Sequence, residues 1–378
     1  MAQMKYNNFR FKDFASFKYG KMPKKEKMLD SEGFPIFSGY RISGYYDEYN
    51  LDSGELIVVA RGVGGTGDVK LSPEKCFLTN LSIAVQVDEK IALKRYLYYY
   101  FALNNLRYLD SGSAQSQITI NDLSNIKILL PEVSIQTKIV KILTDIDIKI
   151  EINNKINDNL LRQARALLNN CLDENQSVLT MRKLLDIAEI NVDTYSPAEN
   201  WSYVNYLDTS NITEGTISEM QHLKPNEDKL PSRARRKVKP MDIVYSTVRP
   251  NQRHYGIVNT PLPNMLVSTG FAVIRSKVAF IRNEYIYLLL TDNQFVEKMQ
   301  QLAEQSTSTF PAIKPSDLGT CQIPCVNNKS MELLGDAIHT IFSTISVNQQ
   351  ENIKLVQLRD ALLPKLLAGQ IDVSKIEI

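Results

Sequence analysis

Two long stretches of the chain carry apolar residues at helical spacing. From about Ser134 to Cys171 there is no Gly or Pro, and heptad position a is occupied in turn by Ile139, Ile146, Asn153, Leu160 and Leu167. A neighbouring stripe contains Ile142, Leu143, Ile150, Ile156 and Ala164. About 35 helical residues extend for roughly 50 Å at about 1.5 Å per residue. Because such a helix is one-sided over its whole length, it needs a partner to cover its apolar stripe.

An internal repeat supplies this partner. Shifting the sequence by 195 residues aligns 118–168 with 313–363 without a gap, and position a of the second copy is then occupied by Leu334, Ile341, Asn348, Leu355 and Leu362. A duplicated unit can fold with approximate two-fold symmetry, so we predict that the two helices pair antiparallel. Asn153 and Asn348 share one a position, where a buried Asn fixes the register of a helix pair. The alternative is that both face water.

The segments before each helix consist of short apolar runs broken by Gly and Pro. This pattern predicts short strands and tight turns, and the strand signals lie at 56–60, 77–87, 242–245, 256–258 and 270–274. Helices rich in Tyr, Leu and Phe are predicted over about 92–108 and 283–303. At a shift of 189 residues Thr79–Asn80 meets Ser268–Thr269, which extends the repeat upstream. The predicted fold class is therefore α+β, in the order lobe, helix, lobe, helix.

The composition agrees with a globular chain of more than one domain. The 378 residues are 43% apolar and 23% charged, with 44 Lys and Arg against 42 Asp and Glu. The purely apolar runs are short, so no membrane span is expected. The start of the chain lacks the apolar segment of a secretion signal. The four scattered cysteines then favour reduced thiols and a cytoplasmic location.

Motifs for catalysis, cofactors and metals are mostly absent. Gly62–Gly67 formally matches a dinucleotide-binding pattern, but the residues that follow predict a strand and a turn instead of the required helix. The three histidines and four cysteines form no ligand cluster, so no metal is expected. Asp122 and Asp317 occupy equivalent positions at segment starts, where capping explains them. We predict that the chain has no catalytic residue and binds no cofactor.

Basic clusters recur in both lobes. Residues 229–239 include six basic residues and no acid, and 18–27 include five lysines. A polar segment at 111–117 or 305–309 precedes each copy of the repeated Ile-x-x-x-Asp-Leu segment. Lys and Arg interleaved with amide and hydroxyl residues suit phosphate positioning and base reading, whereas the alternative is an ordinary solvated face. The net charge of +2 averages these clusters with acidic helices, so it is no argument against DNA.

At this point the sequence resembles the specificity subunits of type I restriction-modification systems over essentially its whole length. The resemblance is carried by the Gly112-Ser113 loop, 126–131 (IKILLP), Gln136-x-x-Ile139, 231–236 (PSRARR), 239–250 (KPMDIVYSTVRP), 266–271 (LVSTGF) and 358–371 (LRDALLPKLLAGQI). No single motif is decisive, but their order and their duplication are specific.

The resemblance implies two globular target-recognition domains related by the internal repeat and joined and spaced by two long helices that pair as an antiparallel coiled coil. The expected segments are target-recognition domain 1 at 1–130, a first spacer helix at 131–172, target-recognition domain 2 at 173–327, and a second spacer helix with the C-terminal conserved region at 328–378. Each recognition domain would read one half of a bipartite site in double-stranded DNA. A helix of roughly 50 Å matches about 15 base pairs at about 3.4 Å each.

The resemblance also implies partners. These are two methyltransferase (modification) subunits, which bind S-adenosylmethionine, and a restriction/translocase subunit. The second copy has 331–334 (MELL) where the first has 136–139 (QTKI), so the two docking surfaces need not be equivalent.

We predict DNA contacts from both lobes. The residues chosen in the first lobe are Lys18, Lys21, Arg61, Thr79, Asn80, Ser113 and Gln115. Those in the second lobe are Arg233, Arg235, Arg236, Arg249, Asn251, Gln252, Ser268 and Thr269. Two alternatives stay open: a coiled-coil interaction protein without a DNA role, and a DNA methyltransferase or nuclease with unrecognised motifs.

Overall fold

The structure is a computed structural model that describes residues 6–38, 41–62, 65–110, 116–306, 310–374 and 376. The chain divides into two compact units: the first consists of Met1–Ile152 with Asn352–Ile378, and the second of Asn153–Glu351. These bounds differ from the four predicted segments, because each long helix contributes one half to each unit.

The strands of the first unit, β1 to β10, are Asn7–Arg10, Ala15–Tyr19, Met28–Leu29, Phe34–Ser38, Arg41–Tyr46, Leu56–Val59, Val69–Leu71, Phe77–Leu78, Ser82–Val87 and Lys127–Leu130. Among the described residues they form one sheet in the order β2-β9-β6-β7, another in the order β3-β5-β4-β8, and the pair β1-β10. In the second of these sheets β4 and β8 run parallel.

The strands of the second unit, β11 to β22, are Thr180–Lys183, Ala188–Ile190, Val204–Leu207, Ile212–Thr213, Thr216–Ile217, Gln221–Leu223, Ala234–Lys237, Asp242–Ser246, Tyr255–Val258, Met265–Ser268, Phe271–Ser276 and Gln322–Cys325. They form the sheets β12-β21-β18-β19 and β16-β13-β20-β17 and the pairs β11-β22 and β14-β15. The second sheet again contains a parallel pair, β13 with β20. The strand order of the sheet β2-β9-β6-β7 thus recurs, as the sequence repeat predicts. In the other sheet β5-β4-β8 corresponds to β16-β13-β20, but β3 lies beside β5 in the first unit and β17 beside β20 in the second.

The helices, α1 to α8, are Lys94–Leu103, Ile120–Ser124, Val133–Glu174, Leu184–Ile187, Asn283–Leu290, Asn293–Glu304, Pro315–Gly319 and Asn328–Leu367. The single helix predicted over about 283–303 is wrong, because α5 ends at Leu290 and α6 begins at Asn293. Asp292 explains the break: its side chain accepts a hydrogen bond from Gln294 N at 2.9 Å and caps the new helix.

Two smaller predictions are confirmed. Asp122 and Asp317 cap α2 and α7, since their carboxylates accept hydrogen bonds from Thr119 N at 2.8 Å and from Lys314 N at 2.7 Å. In the motif Gly62–Gly67, Gly62 and Gly65–Gly67 lie in the connection between β6 and β7, which pair antiparallel, and residues 63–64 lie outside the described residues. A strand follows this segment, so it lacks the helix N-terminus that a dinucleotide site requires.

Each unit buries one half of α3 against one half of α8. In the first unit Ile139 and Leu143 share a core with Leu366, and all three are fully buried. In the second unit Ala164 and Leu168 share a core with Leu334 and Ile338. Ile156 and Leu167 are instead 42% and 40% exposed, although the heptad pattern places them on the stripe. A straight helix has 3.6 residues per turn, so a heptad repeat drifts away from the buried face.

The two long helices run antiparallel within each unit. In the second unit Asn153 Nδ2 donates to the Glu351 carboxylate at 2.7 Å, and Asn348 Nδ2 donates to Asn157 Oδ1 at 2.8 Å. Moving forward along α3 from 153 to 157 therefore means moving backward along α8 from 351 to 348. Asn153 is 1% exposed and Asn348 is half-buried. The alternative that both side chains face water is therefore wrong for Asn153. That the two asparagines fix the register of the pair stays a prediction.

A double-mutant cycle tests whether Asn348 stabilises the helix pair through its hydrogen bond with Asn157. We expect Asn157→Ala and Asn348→Ala to show a coupling of about 0.5–1.5 kcal/mol in the free energy of unfolding, because each change removes the same partly buried hydrogen bond. Denaturant unfolding of the full chain measures it. The exposed Asn159→Ala is the matched control, and additive effects of the first two changes would contradict the role of this pair.

Candidate nucleic-acid interface

Four segments of the first unit meet and form what we call the first polar cluster, which consists of Lys21, Arg61, Thr79, Asn80, Leu81 and Gln117. The backbone of Lys21 forms an isolated β-bridge with that of Thr79, just after β8, and the backbone of Arg61 forms another with that of Gln117. Arg61 N also donates to Leu81 O at 3.0 Å, which ties the end of β6 to the turn between β8 and β9. The cluster therefore joins four of the residues predicted to contact DNA.

The second unit has an equivalent arrangement, the second polar cluster, which consists of Arg233, Thr247, Val248, Arg249, Ser268, Thr269, Gly270 and Ala312. Thr269 N donates to Arg233 O at 2.8 Å, and the backbone of Val248 forms an isolated β-bridge with that of Ala312. Arg249 follows Val248 directly. This cluster joins four of the second lobe's predicted residues.

The backbone hydrogen bonds of the two clusters match. In the first, Ala60 N donates to Leu81 O and Ile118 N donates to Ala60 O, both at 2.9 Å. In the second, Thr247 N donates to Gly270 O and Ile313 N donates to Thr247 O, both at 2.8 Å. The same three segments thus meet in both units. Each cluster includes the turn that comes after a strand in a parallel pair, which is β8 in the first unit and β20 in the second.

The remaining predicted residues lie around the clusters. Lys18 is exposed on β2 opposite Ala84, Asn251 and Gln252 are exposed in the turn after Arg249, and Arg235 and Arg236 are half-buried on β17. Ser113 and Gln115 lie outside the described residues.

Thr79 and Ser268 are 3% and 0% exposed, so their side chains do not face solvent. The Ser268 hydroxyl accepts from Gly270 N at 3.3 Å, which makes it a support of the turn. Thr269 follows Ser268 and is exposed, and Asn80 follows Thr79 and is half-buried. The polar side chains of Thr269 and Asn80 are therefore more accessible than those of Ser268 and Thr79.

The basic run 229–239 divides into two kinds of side chain. Lys237 and Lys239 form ion pairs with Glu199 at 2.5 Å and with Asp193 at 3.2 Å. Arg275 binds Asp193 as well, and the hydrogen bonds from Arg275 and Lys239 lower the pKa of the Asp193 carboxyl. Arg233 and Arg235 have no carboxylate partner among the described residues, so they remain available to an anion.

Burial affects other groups near the clusters. The Nε atoms of Arg61 and Arg236 and the hydroxyls of Thr79 and Ser82 are buried without a hydrogen-bond partner among the described residues. Burial lowers the pKa of Arg236, and burial raises the pKa of Tyr206 to about 12 although Ser268 hydrogen-bonds it. Three of these four atoms lie at or next to the first cluster.

Sequence reasoning missed two members of this arrangement. Gln117 pairs with Arg61, and Thr247 donates both its N–H and its hydroxyl to Gly270 O at 2.8 and 2.9 Å. Extending the repeat alignment back from Ile118 and Ile313 by one residue would have pointed to Gln117 and Ala312.

Over the described part of the chain there is no group of three or more His, Cys, Asp and Glu that could hold a metal ion. No described helix is both long and apolar enough to cross a membrane.

Comparison with known proteins shows which family the first part of the chain resembles. Residues 4–162 match the family model described as the type I restriction modification DNA specificity domain. Residues 4–162 are therefore similar to this specificity family. The resemblance found in the sequence is confirmed over these residues, and the first polar cluster lies among them.

Two curated relatives and one solved structure are similar to the chain. The HindI specificity subunit of Haemophilus influenzae is 31% identical over 137 residues, which are 36% of this chain and 30% of that protein. The MjaIX specificity subunit of Methanocaldococcus jannaschii is 22% identical over 349 residues, 85% of this chain and 79% of that protein. The crystal structure of a type I restriction-modification S subunit from M. genitalium matches with a TM-score of 0.63 at 18% identity, covering 97% of both chains. The chain is thus similar in fold to that S subunit over 97% of its length.

Gly20 offers a test of the first cluster. A Cβ at Gly20 would lie 2.3 Å from Thr79 O and 2.4 Å from Leu78 O, both backbone atoms that cannot move away cheaply. We expect Gly20→Ala to lower the free energy of unfolding by about 1–3 kcal/mol, measured by denaturant unfolding. In Gly335→Ala the nearest atom is the flexible Arg282 Cγ at 3.3 Å, so this control should be neutral or gain up to about 1 kcal/mol. Equal midpoints for Gly20→Ala and the unaltered protein would contradict the tight packing.

Proposed function

We propose that the chain is the sequence-specific DNA-recognition subunit of a type I restriction-modification complex. The observation that carries the proposal is the recurrence of one backbone arrangement in both units, with cations and half-buried or exposed polar side chains at each copy. Two equivalent surfaces of this kind suit a bipartite site, of which each unit reads one half. The DNA is double-stranded, and phosphate contacts from Lys and Arg position it for base reading by the amide and hydroxyl residues.

The proposal extends to partners. The chain scaffolds two methyltransferase subunits, which bind S-adenosylmethionine, and a restriction/translocase subunit. Exposed apolar side chains on α3 support docking, since Ile148 and Ile152 are 45% and 46% exposed and apolar surface of this kind is typical of interaction sites. In this proposal the chain itself is not catalytic and binds no cofactor.

Methylome sequencing of cells with and without the chain tests the function. We expect one split methylated motif to disappear when the chain is absent and to return when it is supplied again. An unchanged methylome would contradict DNA recognition and favour the alternative of a coiled-coil interaction protein.

Arg235 provides a residue-level prediction. Its Nε donates to Ser232 O at 3.3 Å, but no described carboxylate neutralises it. We expect Arg235→Ala to weaken DNA binding by the complex of the full chain with its methyltransferase and to reduce the slope of log affinity against log salt by about 1. Gel-shift titration at several salt concentrations measures both. The exposed Arg182→Ala, outside both clusters, is the control, and an unaltered slope for Arg235→Ala would remove this residue from the interface.

The alternative of an unrecognised methyltransferase is tested on the purified chain alone. We expect labelled S-adenosylmethionine neither to bind nor to transfer its methyl group, because the cofactor belongs to the partner subunit. Stoichiometric binding or methyl transfer would overturn the non-catalytic proposal.

A further inference from the structure

The turn that follows Val248 holds two arginines in an unusual backbone conformation. Arg249 and Arg253 have φ angles of 48° and 56°, in the left-handed region that residues with a Cβ rarely adopt. They bracket the short turn Pro250–Gln252. Such strained positions persist only where the surroundings fix them, and they concentrate at functional sites.

Several contacts fix this turn. Arg249 N donates to Pro311 O at 2.9 Å, and Gln252 N donates to Arg249 O at 2.9 Å. Asn251 N donates to the side chain of Gln300 in α6 at 3.2 Å. The backbone that carries Arg249 is therefore held by two other segments of the same unit.

The two arginines have different roles. The Arg253 guanidinium binds Glu214 at 3.0 Å and Asn293 at 2.9 Å, so its donors serve the structure. The Arg249 guanidinium has no carboxylate partner among the described residues. It lies 4.7 Å from the centre of the Phe310 ring, and Phe310 is 53% exposed.

Stacking on an aromatic ring orients a guanidinium while leaving the edge of its fork open to a ligand. A fork fixed in this way loses little freedom when it binds, and its two parallel donors match the O6 and N7 acceptors of guanine in the major groove. A phosphate contact carries no base information and needs no such fixation of the guanidinium.

We propose that Arg249, positioned by Phe310, reads a guanine in the half-site recognised by the second unit. This inference rests on the proposed DNA-recognition function and names one base of its target. Phe310 is a positioning residue, because it acts through the arginine.

The first experiment is a methylome comparison in cells that express the full chain with its methyltransferase. Arg249→Gly removes the side chain, and glycine accepts the left-handed backbone without strain, so the fold is retained. We expect the methylated motif to accept any base in place of one guanine of one half-site, while the other half-site of the motif is unchanged. Arg182→Ala serves as the control and retains the original motif.

The second experiment measures binding to a duplex that carries a substituted base at the guanine so identified. We expect 7-deazaguanine, which lacks N7, to weaken DNA binding by the unaltered protein about five- to a hundredfold. DNA binding by the Arg249→Gly variant should not change with this substitution. Inosine retains O6 and N7 and should bind like guanine. Phe310→Tyr keeps a ring and should preserve the discrimination, whereas Phe310→Leu should reduce it.

The outcomes separate the two proposals. If Arg249→Gly lowers methylation at every site and the motif is unchanged, Arg249 contacts phosphate and the guanine assignment is overturned, while DNA recognition stands. Insensitivity of the unaltered protein to 7-deazaguanine also overturns it. If the unaltered chain produces no split motif, the DNA-recognition function itself fails.

Discussion

Burial of the apolar faces of α3 and α8 is the constraint on which each unit depends. In the first unit Ile139, Leu143 and Leu366 are fully buried in the core that also covers the sheet β2-β9-β6-β7. Each such side chain contributes about 1.5–3 kcal/mol relative to an exposed one. A segment that ends before α3 would lack this part of its core. The lobes are therefore completed by the helices, and the clusters that the lobes carry depend on them too.

A polar residue within this core shows how helix and lobe are joined. Gln136 in α3 is 0% exposed, and its amide accepts from Leu93 N and donates to Ile91 O and Pro131 O, each at 2.9 Å. Its counterpart in the second copy is Met331, which is 1% exposed. The difference between 136–139 and 331–334 therefore lies partly inside the cores. On the surface the difference remains at Leu333, which is 65% exposed, whereas its counterpart in the first copy is the half-buried Lys138.

The features that were predictable from the sequence are those set by local or repeated patterns. The long helices follow from periodicity, and the caps at Asp122 and Asp317 follow from their place at segment starts. The division of the basic run was not predictable, because Glu199 and Asp193, which neutralise Lys237 and Lys239, approach from another part of the chain. The burial of Ser268 was likewise hidden, since it results from sheet pairing with β17.

These ion pairs also explain how a nearly neutral chain can present cations. Arg275, Lys237 and Lys239 are engaged by carboxylates, and Asp242, fully buried, binds Arg275 through two hydrogen bonds at 2.7 Å. Exposed ion pairs add little to stability, but they cancel charge where they lie. Arg233, Arg235 and Arg249 lack such partners among the described residues, so no ion pair there cancels their charge, although the chain has a net charge of only +2. The positions of the acids, more than the number of bases, thus determine where an anionic partner is attracted.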